Sequence, residues 1–298
     1  MKRFAYSLTH TTTYRYPVSV PLSHHLLALR PRNLANQVCE FHELEITPEP
    51  VSLESHLDYY GNHCAFLTVE GAHNELLVSA KSRIALSMPF VPDPGETPSW
   101  ENARSQVLTD RSERGLEALE FSFDSPLIPT TAPLAEFASE SFHPGRPIME
   151  AAIELNARIF EEFTFDPAAT DVSTPVSEVF ENRRGVCQDF AHLLIGCLRA
   201  VGVPARYVSG YLETDPPPNS PKLIGSDASH AWVSFWCPGV GWIDLDPTNN
   251  CIPSMRHVIV GWGRDYGDVC PLRGIIHGSG SHELIVGVDL AAIGPVGS

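Results

Sequence analysis

No stretch of this 298-residue chain carries enough Lys and Arg to follow a phosphate backbone: 20 basic side chains face 36 acidic ones, a formal net charge of -16. Nucleic acid is excluded as an expected partner. The acidic excess is dispersed, so it favours solubility without naming a cationic substrate. No run is long and apolar enough to cross a bilayer, so no membrane partner is expected. Residues 1–16, MKRFAYSLTHTTTYRY, begin basic but then alternate aromatic and polar positions where a signal peptide would have an apolar core. A cytoplasmic location is the expectation. The seven cysteines, Cys39, Cys64, Cys187, Cys197, Cys237, Cys251 and Cys270, include no CxxC spacing to suggest structural zinc. A chain of this size needs no disulfide staples, and reduced thiols are expected. Repeats, low-complexity tails and EF-hand loops are also missing.

What is present reads as two unlike halves. Phe4, Tyr6 and Leu8 alternate on one face, and Leu76, Val78, Ala80, Ile84, Leu86 and Met88 repeat the pattern, which predicts antiparallel strands in a β-sandwich or barrel. PFVPDPGETPSW, residues 89–100, leaves that sheet through a run of prolines. From Pro147 the spacing turns helical, with Met149, Ala152, Ile153, Ile159, Phe160 and Phe163 as an apolar stripe. A second helix starts at TPVSEVF, with Thr174 as N-cap and Pro175 in the first turn. A third carries Phe190, Leu193, Leu194, Cys197, Leu198 and Val201 inward. ARYVSGYLE, HAWVSFW, GWIDLD, HVIV and HELIVGVDL follow as strands, the first two separated by an open loop, TDPPPNSPKLIGSD. The fold class is therefore α+β, with residues 1–95 an N-terminal β domain, 96–145 a linker with short helices, and 146–298 a second domain of helices followed by strands.

RRGVCQDFAHLL, residues 183–194, places Cys187 in the first turn of the third helix, after Gly185, which permits a tight approach. There, free amide hydrogens and the positive end of the helix dipole favour thiolate over thiol. The best base along the chain is His230, at the start of a strand, and Asp246 at the end of GWIDLD could orient it. Spacing alone does not pair them. Asp244 shares a strand face with Asp246 and is its nearest competitor. Cys197 fits a buried packing role on the apolar stripe, Asp189 a loop tether, His192 a hydrogen-bonded helix histidine, and Trp236 the core. The histidines of the N-terminal part, including His10, His24, His25, His42 and His73, form no credible ligand set and are expected solvated or hydrogen-bonded.

Taken together, RRGVCQDFAH, GVPARYVSGY, SHAW and GWIDLDPTN resemble the transglutaminase-like superfamily, specifically its bacterial branch with an extra N-terminal domain, and GRDYGDVCPLRG resembles a later segment of that branch. YRYPVSVPLSHHLLALRPR resembles the start of the N-terminal domain, so the likeness spans most of the chain. The resemblance implies a papain-like fold with Cys187 as nucleophile, His230 as base and Asp246 as its orienting carboxylate. It implies acyl transfer from a peptide, protein or small amide through a thioester, to water or to an amine. Gln188, Trp232, Arg264, Asp265 and Tyr266 are expected to bind substrate or support the site. Gln188 follows the cysteine, so it is not assigned the oxyanion role of the upstream glutamine in papain-like enzymes. No cofactor and no metal are expected. Two alternatives stand beside this reading: zinc held by Cys187, His230 and Asp246, or an inactive binding module that keeps the fold.

Overall fold

A computed structural model describes residues 3–214, 228–278 and 281–296. The alternating N-terminal segments become β1 (Arg3–Leu27), β2 (Gln37–Thr47), β3 (Ser52–Leu57) and β4 (His63–Leu86). β1 and β4 pair antiparallel from Phe4 opposite Leu86 to Leu27 opposite Ala65, with register shifts between Arg15 and Leu22. Such irregularities bend a strand. The bend brings two halves of one sheet together: Leu76, Val78 and Ala80 share a buried core with Leu27, Leu67 and Val69. The β domain is thus a sandwich made from continuous strands.

Short helices follow as expected, α1 (Trp100–Thr109), α2 (Glu113–Glu120) and α3 (Ala132–Ser139). α4 (Ile148–Glu162) buries Met149, Ala152, Leu155 and Ile159. Phe160, read as part of that stripe, is exposed, because it lies one residue past the buried row. β5 (Thr164–Phe165) leads to α5 (Val176–Asn182), whose N-cap is Pro175 rather than Thr174. The Thr174 hydroxyl instead accepts the Asp171 amide at 3.0 Å. β6 (Arg184–Gly185) then delivers the chain to α6 (Cys187–Ala200), and Cys187 is its first residue.

α6 is apolar nearly all round and lies at the centre of the second core, against α3, α4 and a four-stranded antiparallel sheet. That sheet runs in the order β10-β7-β8-β9, from β7 (Ala205–Leu212), β8 (Ala228–Cys237), β9 (Gly241–Leu245) and β10 (His257–Gly263). The TDPPPNSPKLIGSD loop lies, from residue 215 to 227, outside the described residues. On β8, Ala231, Val233 and Phe235 enter the core around α6, so alternation sends His230 and Trp232 to the opposite side.

The outer edge of β10 is covered by amide side chains from the β domain. Gln37 donates to the Ile259 carbonyl at 2.7 Å and accepts the Ile259 amide at 2.8 Å. Asn62 does the same for Trp262, at 2.8 and 3.0 Å. Each side chain stands in for a missing strand partner, which both blocks the edge and fixes the sheets against each other. After α7 (Tyr266–Val269), β11 (Leu272–His277) and β12 (Glu283–Val296) return to pair with β1. The end of the segment read as catalytic, 146–298, therefore completes the N-terminal sheet.

Gly210 matters to the site. A Cβ there would stand 2.1 Å from the Val258 carbonyl oxygen and 2.5 Å from the Trp232 ring. Gly210→Ala is expected to destabilise the fold by about 1–3 kcal/mol, read as a lower urea midpoint, because neither backbone nor indole can yield without loss.

Candidate active site

Asp189 organises the front of α6. Its Oδ2 accepts the Val186 amide at 2.8 Å and the Thr170 hydroxyl at 2.6 Å, the tether its sequence position suggested. Gly185 makes room for it, since a Cβ at that position would lie 2.7 Å from the same oxygen. Cys187 is thereby held half-buried at the helix start, with its side chain beside His230.

His230 uses Nε2 to donate to Asp246 Oδ2 at 2.7 Å, which leaves Nδ1 as the nitrogen for the thiol. Asp246 has no exposed surface and follows β9 in a turn that aims backbone amides at it. Its Oδ1 accepts from the Thr248 and Asn249 amides at 2.9 and 3.1 Å. Its Oδ2 accepts further from Asn249 Nδ2 at 2.7 Å and from His257 Nε2 at 3.1 Å. Burial by itself would raise this carboxyl, but the bonds from His230 and His257 prevail and hold it well below the usual carboxylate range. Burial would likewise discharge His230, but the bonds to Asp246 and Cys187 prevail and push its pKa up to about 10. At neutral pH the ring is therefore a cation held against the Asp246 carboxylate.

His257 and Asn249 are the members that sequence reasoning missed. His257 opens the HVIV strand, which reads only as a strand; it reaches Asp246 because β10 pairs with β7 and not with β8. Asn249 lies three residues after Asp246, and that Asp-to-Asn turn spacing was the available signal. The His257 tautomer is assigned by its surroundings: the Ser254 amide donates to Nδ1 at 3.3 Å, so Nε2 carries the proton that goes to Asp246. His230, Asp246 and His257 also form a group whose ligand atoms lie within 4.8 Å of one another, a geometry able to hold a metal ion. Cys187 is not in that group, so the metal-capable set differs from the expected zinc ligands by one residue.

The remaining expected residues sit around this network. Trp232 is fully buried, 5.9 Å from the His230 ring and 5.3 Å from the His257 ring between centroids, and its Nε1 donates to Asp244 at 3.2 Å. Asp244 is thus engaged by the indole, and Asp246 alone meets the imidazole. Gln188 donates to the Val172 carbonyl at 3.2 Å, away from an oxyanion role. Arg264 pairs with Asp268 at 3.0 Å through two nitrogens, and Asp265 caps α7 while accepting the Leu127 amide at 3.0 Å. The Tyr266 hydroxyl contacts the Cys270 sulfur at 3.2 Å, and its amide donates to His192 Nε2 at 3.1 Å. These contacts tie the α7 turn to Leu127 and, through His192, to α6. Cys197 is wholly buried, as its stripe position predicted, and all seven thiols are free. Of the N-terminal histidines, His10, His24, His42 and His73 are hydrogen-bonded, whereas both ring nitrogens of buried His25 lack a partner.

A folded-over β domain joined to a helix-fronted cysteine and a strand-borne histidine defines a class. Residues 6–85 match the bacterial transglutaminase-like N-terminal region and residues 136–247 the transglutaminase-like superfamily. The uncharacterized protein Rv2569c of Mycobacterium tuberculosis is 42% identical over 294 residues, covering 96% of this chain and 92% of its own. The chain belongs to the transglutaminase-like superfamily, in the form that carries the N-terminal β region. A candidate cysteine protease from Cytophaga hutchinsonii has the same fold, with a TM-score of 0.78 at 18% identity over 98% of this chain and 92% of that one. A protein-glutamine gamma-glutamyltransferase of Pseudomonas aeruginosa is 39% identical over 93 residues, 30% of this chain and 14% of its own. Among the described residues no helix is long and apolar enough to cross a membrane.

Proposed function

We propose that this protein is a cysteine-dependent acyl hydrolase or acyl transferase acting on a peptide, isopeptide or related amide. The carrying observation is that the Cys187 side chain lies beside His230, whose ring bonds buried Asp246 at 2.7 Å. The Cys187 thiolate attacks the amide carbon, the protonated His230 gives its proton to the departing amine as the C–N bond breaks, and water or a second amine, deprotonated by the now neutral His230, then opens the thioester and restores the thiolate. The Cys187 amide, without an intrahelical acceptor at the first helical position, is a donor for the oxyanion. Seven free thiols agree with a reducing, cytoplasmic setting.

The His230, Asp246 and His257 group supports a second reading, a zinc site with an open fourth position. Zinc at His257 Nε2 needs a lone pair where the present tautomer has a proton, and a proton on Nδ1 where the Ser254 amide already points.

Iodoacetamide labelling followed by intact and peptide mass spectrometry separates the two. The cysteine reading expects Cys187 to be alkylated first and this selectivity to vanish in His230→Ala. Preferential labelling of Cys39, Cys251 or Cys270, together with stoichiometric zinc that is lost in His257→Ala, would replace it with the metal reading.

A further inference from the structure

Between the β domain and the far side of the catalytic sheet lies a cavity of about 270 Å3 that backs onto the site through Trp232 and His257 but is not lined by Cys187, His230 or Asp246. Its walls include Trp232, Trp242, Trp262 and His257 from the catalytic half, and Ala35 and Phe90 from the β domain. Arg206 also lines it, with its guanidinium carbon 4.1 Å from the Trp242 ring and 3.8 Å from the Trp262 ring. Arg206 is only 5% exposed, yet its Nε and Nη1 have no hydrogen-bond partner. Its ion-pair contact is loose, 3.8 Å to Glu117, whose own side chain is half exposed.

Buried guanidinium donors are costly to leave unbonded, and an arrangement that keeps them so points to an acceptor that is not part of the chain. Arg32 stacks on Trp262 at 3.6 Å and adds a second positive charge. Asp244 opposes them, but one of its oxygens is occupied by Trp232 Nε1. The recess is thus indole-walled, with the unbonded donors of Arg206 in a lining that also contains Asp244. A carboxylate answers the unbonded donors with charge-assisted hydrogen bonds, and an apolar or aromatic body answers the walls. The volume admits a small molecule and not a folded segment.

We propose that this interdomain cavity binds a small carboxylate with an apolar or aromatic body, its carboxylate on Arg206. Its proposed ligand contacts Arg206 and not Cys187, which does not line the cavity.

The test uses the full chain with 3-phenylpropionate and its neutral amide, 3-phenylpropionamide, as probes, followed by calorimetry and tryptophan fluorescence. The acid is expected to bind at one per chain with a Kd of about 1 mM or tighter, and the amide at least about tenfold more weakly. Arg206→Gln is expected to remove that preference. Ala35→Trp, at an exposed lip position, is expected to abolish binding by filling the mouth. Cys187→Ser is expected to bind as the unaltered protein does, so the result stands apart from the fate of the cysteine reading. Equal affinity for acid and amide, no saturable binding, or an acid preference that survives Arg206→Gln overturns the proposal. If Arg206→Gln loses its circular dichroism spectrum, Ala35→Trp decides, and undiminished affinity there overturns the site.

Discussion

Cys187→Ala is expected to lower kcat/KM on an amide substrate by about four orders of magnitude while leaving the unfolding free energy from urea titration within about 1 kcal/mol of its original value. The two halves of this expectation come from different facts. The side chain is half-buried at the first position of α6, where alanine is an easy replacement and leaves little cavity. The loss in rate follows because the thioester route needs a nucleophile, and no other thiol is placed on His230. Cys197 lies deep in the core, and Cys270 is engaged with Tyr266. Turnover kinetics beside urea titration of the same preparation give both numbers. A variant that keeps more than about one tenth of the activity would remove Cys187 from the chemistry.

Asp246→Asn is expected to lower both activity and stability, and to do so with a distinctive pH signature. Each oxygen of Asp246 accepts donors: Oδ1 from two backbone amides, Oδ2 from His230, His257 and Asn249. An amide must turn its NH2 toward one of these sets, so donor meets donor at a site with no exposure. The expected cost is about 1–3 kcal/mol. His230, raised from 6.5 to about 10 in the folded protein, contributes stability that is full below 6.5 and is lost as the pH rises to about 10. Asp246, lowered from 3.8, contributes stability that is full above that value and is lost as the pH falls through its depressed folded value. The His230 and Asp246 contributions are both full between about 4 and 6.5, while His10, His25, His42 and His192, lowered by burial to about 4, should make the urea midpoint of the unaltered protein rise across that window before it declines towards 10. In Asp246→Asn the alkaline decline should still begin near 6.5 but end at lower pH and be smaller, and the alkaline limb of kcat/KM should move towards neutral pH. An alkaline limb that stays in place after the substitution would mean that Asp246 does not hold the charge on His230.

The period-two and helical patterns identified the two halves, the three helices around the site and the strands bearing His230 and Asp246. They did so because burial of one face is written into local spacing. The placement of Asp189 and Gly185 was also readable, since both act within the same few residues. Thr174 and Phe160 were misplaced by one position, the limit of what cap signals and a broad apolar stripe define.

The sequence by itself determined the residue types, their local elements and the exposed front of α6, all set by interactions among near neighbours. Only the tertiary structure decided that β10 would lie beside β7 and carry His257 to Asp246, that β11 and β12 would close the N-terminal sheet, and that Gln37 and Asn62 would cap a distant strand. Those outcomes depend on which edges pair and which faces pack across the whole chain. Spacing along one segment carries no record of them.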